Sequence, residues 1–251
     1  VFCRVRPFAK YEVERNCQLA VEFPFDGCSI EVSNEGKAKK SYIFDSVFSP
    51  DSTQEMVFED TKRLCSSAVD GFNVCIFAYG QTGSGKTWTM MGDISTPENY
   101  GIIPRCINEV FDLKEKSTSY TYTITCYMLE IYNEQLLDLL RDPKQDKASG
   151  ASKKKLGVKL DANKIVIVPG IIEVEVFKPQ DVLDLLDKGQ KLRKTASTQM
   201  NAGSSRSHMV FAMLINGVNE KNERTLGKLS LVDLAGSEKA SKTGATGDQM
   251  K

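Results

Sequence analysis

The sequence predicts a three-layer α/β fold: a central mixed, mostly parallel sheet flanked by helices. Three observations predict it. Strand and helix patterns interleave along the chain instead of forming separate blocks. Strands such as Val74–Tyr79 and Met209–Ile215 are near-continuous apolar runs, too buried for a sandwich. A glycine-rich turn, residues 80–87, joins one of these strands directly to a helix pattern.

Each element can be justified in order. Val1–Arg6 alternates apolar and polar residues and reads as a strand. Residues 17–48 hold short strand-like pieces, with turns at Asp26-Gly27 and Asn34-Glu35-Gly36. Ser52 with Glu55 forms a capping-box pattern. The helix it opens carries Val57, Thr61, Leu64, Cys65 and Ala68 at helical spacing and stops at Gly71. Val74–Tyr79 is a buried strand, and a helix starts at Lys86. Pro104 sits in the first turn of a helix that points Ile107, Val110 and Phe111 inward. Tyr122, Ile124, Cys126 and Met128 mark a strand with one polar face, and residues 135–140 read as a short helix. Residues 141–155 form a loop. Window 141–160 has seven basic and two acidic residues, a solvated surface first and a polyanion contact second. Residues 156–177 suggest a hairpin or meander. Pro179 starts a helix running to about Arg193. Met209–Ile215 and Leu226–Val232 are strands, the second running into Asp233. No repeat or domain linker is visible.

Composition excludes several classes. Hydrophobic residues make 41% and charged ones 26%, which rules out disorder. Lys plus Arg equal Asp plus Glu at 33 each, against a dedicated nucleic-acid binder. The longest apolar run is seven residues, Met209–Ile215, whereas a membrane span needs roughly 18. The opening VFCRVRPF carries no apolar secretory segment. The seven cysteines include no C-x-x-C and read as reduced cytosolic thiols, with Cys65, Cys75, Cys106 and Cys126 buried. Zinc is not expected, because His208 is the one histidine and no cysteine pair has ligand spacing.

The chemistry is carried by Gly80-Gln81-Thr82-Gly83-Ser84-Gly85-Lys86-Thr87, which matches G-x-x-x-x-G-K-[ST] in full. Glycines let the backbone wrap a phosphate with its N–H groups and the helix N-terminus facing the anion. Lys86 then reaches the β- and γ-phosphates, and the Thr87 hydroxyl reaches Mg²⁺. A nucleotide hydrolase also needs an acidic group near the metal. The apolar strand Leu229–Val232 ends in Asp233 and continues as D-x-x-G to Gly236. Asp233 can order Mg²⁺, and the Gly236 N–H can sense a γ-phosphate. No N-K-x-D follows, so ATP is expected over GTP. Residues 201–208 gather hydroxyls and one arginine. Composition leaves two readings open: metal and water ligation, or a serine-rich loop ending a helix.

Together these strings resemble the kinesin motor domain. FAYGQTGSGKT is similar to its P-loop (80–87), N-x-x-S-S-R-S-H at Asn201–His208 to switch I, and DLAGSE at Asp233–Glu238 to switch II. Arg4-Val5-Arg6-Pro7 resembles the family's R-x-R-P strand, and Leu129–Glu134 a further family string. The likeness spans residues 1–251. AVDGFNVCIFAYGQTGSGKT is most similar to C-terminal-motor, minus-end kinesins of the calmodulin-regulated branch.

The resemblance implies a P-loop NTPase with the kinesin motor fold, binding ATP or ADP with Mg²⁺ and hydrolysing ATP under microtubule stimulation. It implies that Arg206 and Glu238 join the switches across the γ-phosphate. Ser204 and Ser205 stand near metal, phosphate and water, and Asn201 makes a switch-closing contact. Thr87, Ser205 and Asp233 are the implied metal residues, and Arg4, Arg6 and Pro7 the adenine pocket. Trp88 either stacks on the base or packs in the core. Lys159, Lys164, Lys239 and Lys242 face the filament, where acidic tubulin gives a salt-sensitive attraction.

A cytoplasmic, microtubule-associated protein is expected, without nucleic-acid or membrane partners. Calmodulin control and coiled-coil oligomerisation are assigned to segments outside these residues. The chain itself is expected to be a partial motor domain cut at both ends. The relay helix and neck lie beyond it, so this fragment holds the nucleotide site rather than the whole mechanical cycle. A non-motile, nucleotide-gated microtubule-binding module and a P-loop GTPase are the alternatives.

Overall fold

The computed structural model describes residues 1–33, 38–141, 155–161, 165–200 and 204–238. The turn expected at 34–36 and most of the basic loop at 141–155 lie outside them. The chain forms two compact units, Val1–Val57 and Phe58–Lys251.

In the first unit, β1 (Phe2–Arg4) pairs in parallel with β5 (Ser46–Phe48). The Phe2 and Phe48 rings meet edge to face at 6.1 Å. Strands β2 (Val21–Glu22), β3 (Ser29–Val32) and β4 (Lys40–Ile43) form an antiparallel sheet. The expected Asp26-Gly27 turn leads into β3. The Asp26 carboxylate accepts from the Cys28 and Ser29 amides there, at 2.9 and 2.8 Å. Helix α1 (Lys10–Glu14) is short, and Glu12 turns back to accept from the Ala9 amide at 2.7 Å.

Helix α2 (Gln54–Val69) carries the chain from the first unit into the second. Its cap is Thr53, not Ser52: the Thr53 hydroxyl accepts from the Met56 amide at 3.2 Å. One residue decides which side chain points at the unpaired N–H groups of the first turn.

The second unit is built on a six-stranded sheet in the order β11-β7-β12-β13-β6, with β8 beside β7. These strands are β6 (Asn73–Ala78), β7 (Tyr120–Tyr132), β8 (Gln135–Asp138), β11 (Val174–Val176), β12 (His208–Asn219) and β13 (Arg224–Asp233). The short β9 (Lys159–Leu160) and β10 (Val166–Ile167) form a separate hairpin. The sheet is mixed, but its balance reverses the expected one. Only β6–β13 is parallel among its described pairings. Tight turns account for two of the antiparallel pairs, β7–β8 and β12–β13, since a short connection can only join antiparallel neighbours.

Residues 135–140 correct a second expectation, because β8 replaces the predicted short helix. Asn133 and Glu134 both take left-handed backbone angles, φ 46° and 58°, giving a two-residue turn that folds β8 onto β7. The β12–β13 turn is local too. The Asn219 side-chain oxygen accepts from the Lys221 and Glu223 amides at 3.0 and 2.9 Å.

Helices α3 (Lys86–Met90), α4 (Ile102–Lys116) and α5 (Pro179–Met200) complete the unit. As expected, Ile107, Val110 and Phe111 of α4 are buried. Helix α5 extends beyond Arg193 and comes so close to β7 that a Cβ at Gly189 would lie 2.3 Å from the Met128 sulfur. Side chains alternate across a strand, so Tyr127 and Leu129 point away from Met128. Among the described residues, Leu156, Val168 and Ile171 cover that opposite face.

Cys65, Cys106 and Cys126 are buried as expected, but Cys75 is exposed. It lies on β6, whose one described partner in the sheet is β13. The strand therefore shows alternating exposure instead of full burial, with Phe77 61% exposed.

Candidate nucleotide site

Register fixes the frame of the site. Asp233, the last residue of β13, lies beside Ala78, the last residue of β6. The glycine-rich loop 80–87 thus leaves β6 next to the point where the 233–238 segment leaves β13. Gly83 and Gly85 have φ of 78° and 91°, which residues with a Cβ rarely adopt. Gly85 is the residue from which α3 starts. The Lys86 ammonium folds back on the loop, donating to the Gly80 and Gln81 carbonyls at 2.9 and 3.0 Å. The Thr87 hydroxyl donates to Asp233 Oδ2 at 2.6 Å.

The 233–238 segment meets both the 204–207 segment and the loop. The Gly236 amide donates to the Ser205 carbonyl at 2.8 Å, and the Ser237 amide to the Gly80 carbonyl at 3.0 Å. The Ala235 amide donates to His208 Nδ1 at 3.0 Å, leaving the proton of neutral His208 on Nε2. Burial, with the Arg193 charge second, pushes the His208 pKa down and favours that neutral form. Glu238 is held at the loop, where its carboxylate accepts from the Thr82 amide at 2.8 Å and from the Thr82 hydroxyl. The hydroxyl bond, then the amide bond, keeps its pKa below the usual carboxylate range, and Lys86 adds a smaller pull. A Cβ at Gly236 would meet Glu238 Oε2 at 2.4 Å and Thr82 Oγ1 at 2.5 Å, so an alanine there would displace the Glu238–Thr82 contact.

The fit to a magnesium nucleotide can be tested on these atoms. Asp233 is 2% exposed, and its Oδ1 has no hydrogen-bond partner among the described residues. The Ser84 hydroxyl is likewise buried without one. Buried polar atoms are normally satisfied. Oxygen donors at Thr87 and Asp233 suit a hard cation, and Mg²⁺ in phosphate sites needs only one or two protein ligands. No cluster of three or more His, Cys, Asp or Glu that could hold a metal occurs among the described residues. The residues fit the group.

Comparison with known proteins decides the family. A family profile, the kinesin motor domain, matches residues 4–251. The chain belongs to the kinesin motor family. Similar proteins include Kinesin-like protein KIN-14M of Arabidopsis thaliana, 42% identical over 260 residues, covering 100% of this chain and 35% of that protein. Kinesin-related protein 2 of Dictyostelium discoideum is 40% identical over 269 residues, covering 100% of this chain and 34% of that protein. The kinesin chain thus spans about a third of the length of these relatives. Among solved structures, that of a fast kinesin superposes with TM-score 0.86 at 36% identity, covering 98% of this chain and 68% of that one. The kinesin motor fold follows. Several of the relatives are KIN-14 proteins, in line with the C-terminal-motor resemblance.

The remaining expected residues lie as follows in the kinesin chain. Ser205 and Arg206 sit in the 3-10 turn Ser204–Arg206 that precedes β12, and Ser204 opens it. Trp88 is 45% exposed on α3, which argues against core packing. Within the first unit, Arg4 donates to Gln54 Oε1 at 2.8 Å and to the Ser52 carbonyl at 3.4 Å. Arg6 donates to both Glu12 oxygens at 2.6 Å, and Pro7 is exposed. Lys159 is exposed on β9. Asn201, Lys164, Lys239 and Lys242 lie outside the described residues.

Two groups were missed in the sequence. Glu130, 4% exposed, and Arg193 form a buried ion pair at 3.1 Å behind Asp233. The signal for Glu130 was a lone acid inside the apolar run Tyr127–Ile131. Lys228 was the other, 7% exposed in β13, donating to the Val166 carbonyl at 2.7 Å and lying over the Tyr127 ring.

Proposed function

We propose that this chain is the nucleotide-hydrolysing part of a microtubule-stimulated motor ATPase. The P-loop is 80–87, switch I 201–208 and switch II 233–238. One observation carries the reading: switch II is hydrogen-bonded both to switch I and to a P-loop whose Thr87 hydroxyl meets Asp233.

In this mechanism the loop amides and Lys86 bind the phosphates of ATP. Thr87, Ser205 and Asp233 would hold Mg²⁺, which when bound would offset the phosphate charge. Ser204, Ser205 and Asn201 orient the attacking water, and Gly236 reports the γ-phosphate through its amide. Arg206 and Glu238 close across the site and exclude bulk water. Catalysis then comes from positioning and electrostatics, as phosphoryl transfer requires little else of a protein. Closure needs Glu238 to leave Thr82 for Arg206. The resemblance assigns the adenine to Arg4, Arg6 and Pro7, and separately the exposed Trp88 ring is a face on which a base can stack.

Lys159, Lys164, Lys239 and Lys242 give the filament a basic contact, which places the protein on microtubules. Among the described residues, no helix is long and apolar enough to cross a membrane. A coiled coil and calmodulin control, implied for segments outside residues 1–251, complete the proposal.

The test is MgATP turnover by the full-length protein with and without microtubules. Stimulation is expected, and unchanged turnover overturns the motor reading. Single-turnover hydrolysis separates it from a non-motile module, and relative ATP and GTP affinity from a GTPase.

A further inference from the structure

Residues 6–8 carry Pro7 between β1 and α1, yet no backbone ladder holds them. The bonding that continues β1 ends with the Val5 amide, which donates to the Phe48 carbonyl at 2.9 Å. Backbone bonding resumes at the Ala9 carbonyl, which accepts from the Glu12 and Val13 amides at 2.9 and 3.1 Å. Among the described residues, residues 6–8 make no backbone–backbone hydrogen bond. Side chains close the gap instead. The Arg6 fork donates from Nη1 to Glu12 Oε2 and from Nη2 to Glu12 Oε1, both at 2.6 Å. Nη1 also donates to the Pro7 carbonyl at 3.0 Å. Glu12 Oε2 accepts from the Ala9 amide as well, at 2.7 Å. One carboxylate thus grips the turn at both ends, at Arg6 and at Ala9, with Pro7 between them.

This pair is built to hold a turn. A single-pronged surface ion pair contributes little. A two-pronged arginine–carboxylate pair fixes direction as well as distance, and a lysine could not replace it. The Arg6 bond, and then the Ala9 bond, bring the Glu12 pKa down to about 2, so the carboxylate stays charged. Proline adds stiffness of its own. The ring fixes φ at Pro7, and Arg6 before it is confined to extended angles. The direction in which the ring faces is left for the clamp to set. Pro7 is exposed and apolar. The charges of Arg6 and Glu12 cancel beside it, which suits an uncharged base better than a phosphate.

We propose that Glu12 is a positioning residue for the base of the nucleotide. It acts through Arg6: the clamp holds the 6–9 turn so that the Pro7 ring has its direction before the base arrives. A preset turn avoids the ordering cost that a loose one would meet on binding. Glu12 therefore strengthens the hold on the base and leaves the hold on the phosphates unchanged. The inference rests on the MgATP reading above, with the base assigned to Arg4, Arg6 and Pro7.

The experiment uses the full-length protein without microtubules, so it reads binding and not turnover. At fixed Mg²⁺ each variant is titrated with ADP and with ribose 5-diphosphate, which keeps the sugar and phosphates but has no base. Both compounds displace a fluorescent ADP analogue whose own Kd is measured for every variant. The Kd for ribose 5-diphosphate divided by that for ADP isolates the base. In E12A this ratio should fall by about fivefold to tenfold, through weaker ADP binding alone, the scale of ordering a side chain and its turn on binding. E12Q, which keeps an acceptor without the charge, should fall by less. R6Q should lower the ratio too, and E12A added to R6Q should lower it no further, because the two residues act as one unit. Circular dichroism fixes a temperature at which each variant is folded. An unchanged ratio in folded E12A, or in E12Q where E12A does not fold, overturns the proposal. So does an equal loss of ADP and ribose 5-diphosphate, which marks a general loosening of the site. Additive losses in R6Q and E12A overturn it as well, since Glu12 then acts apart from Arg6. Wild-type protein that binds neither compound overturns the MgATP reading first, and one that binds both equally overturns the base assignment.

Discussion

Gly227→Ala probes how closely β13, the strand that delivers Asp233, lies against α2. An alanine Cβ there would sit 1.8 Å from the Ala68 carbonyl oxygen, 2.9 Å from its carbon and 3.3 Å from Gly71 Cα. All three are backbone atoms, so no rotamer change relieves them. Carbon and carbonyl oxygen in contact stand about 3.3 Å apart, so the last turn of α2 must retreat about 1.5 Å from β13. Leu229 and Leu231, both 0% exposed on the same strand, would lose packing as it does. Overpacking of this kind costs about 1–3 kcal/mol, and unyielding backbone places it near about 3. At about 2–4 °C per kcal/mol for a domain this size, melting should fall by about 6–12 °C. Gly157→Ala is the control, because its Cβ meets nothing within 4 Å. It should stay within about 0.5 kcal/mol of the parent. Thermal and urea unfolding followed by circular dichroism measure both variants. A Gly227→Ala protein melting within about 1 °C of Gly157→Ala would refute the close approach.

Three other outcomes are expected. The Arg6 fork, and then the Ala9 amide, pull the Glu12 pKa from 4.5 down to about 2. A depressed carboxyl stabilises fully above its unfolded value and loses that contribution as pH falls through the folded one. Residues 10–14 should therefore hold from pH 7 to about 5 and loosen between about 4.5 and 2, with Glu12→Gln abolishing the dependence; an NMR midpoint for Glu12 near 4.5 contradicts this. Burial pushes the Cys126 thiol up, and a hydrogen bond with Cys65 followed by burial does the same for Cys106. Iodoacetamide should label exposed Cys17 while sparing Cys65, Cys106 and Cys126 until unfolding, and early labelling of Cys126 by mass mapping counts against the packing. Glu238→Ala should leave ATP binding intact and slow hydrolysis by about a hundredfold, the scale of losing one charge-positioning group. Fast single-turnover hydrolysis in that variant sinks the switch-pair assignment.

What could be read from the sequence was local. The P-loop was legible because its constraints lie within eight residues: glycines where φ must be positive, a strand before and a helix after. Asp233 was legible as the polar end of an apolar strand. The β8 segment was not, because Leu136, Leu137, Leu139 and Leu140 suit helical spacing as well as a strand. Two left-handed residues just before them decided it, and Asn133-Glu134 is a weak turn signal without glycine. The parallel balance was misjudged because strand direction follows from connections, which periodicity does not reveal. Arg193 and Glu130 were out of reach for a different reason. They are 63 positions apart, and only the register of β7 beside β12 and β13 brings them together.

The β12–β13 hairpin carries a consequence for which changes the protein can absorb. Its arms pair without interruption from Val218 and Arg224 near the turn to Met209 and Asp233 at the site. One arm feeds the 204–207 segment and the other the 233–238 segment, like the two legs of a caliper joined at Asn219–Glu223. Adding or deleting one residue in either leg would rotate everything beyond it to the opposite face of the sheet. Substitutions can vary the composition of each leg, but its residue count is locked. Only the joint, about 30 Å from the site by strand rise, has room for insertions. A tag or probe placed there would move with both segments while leaving their alignment untouched.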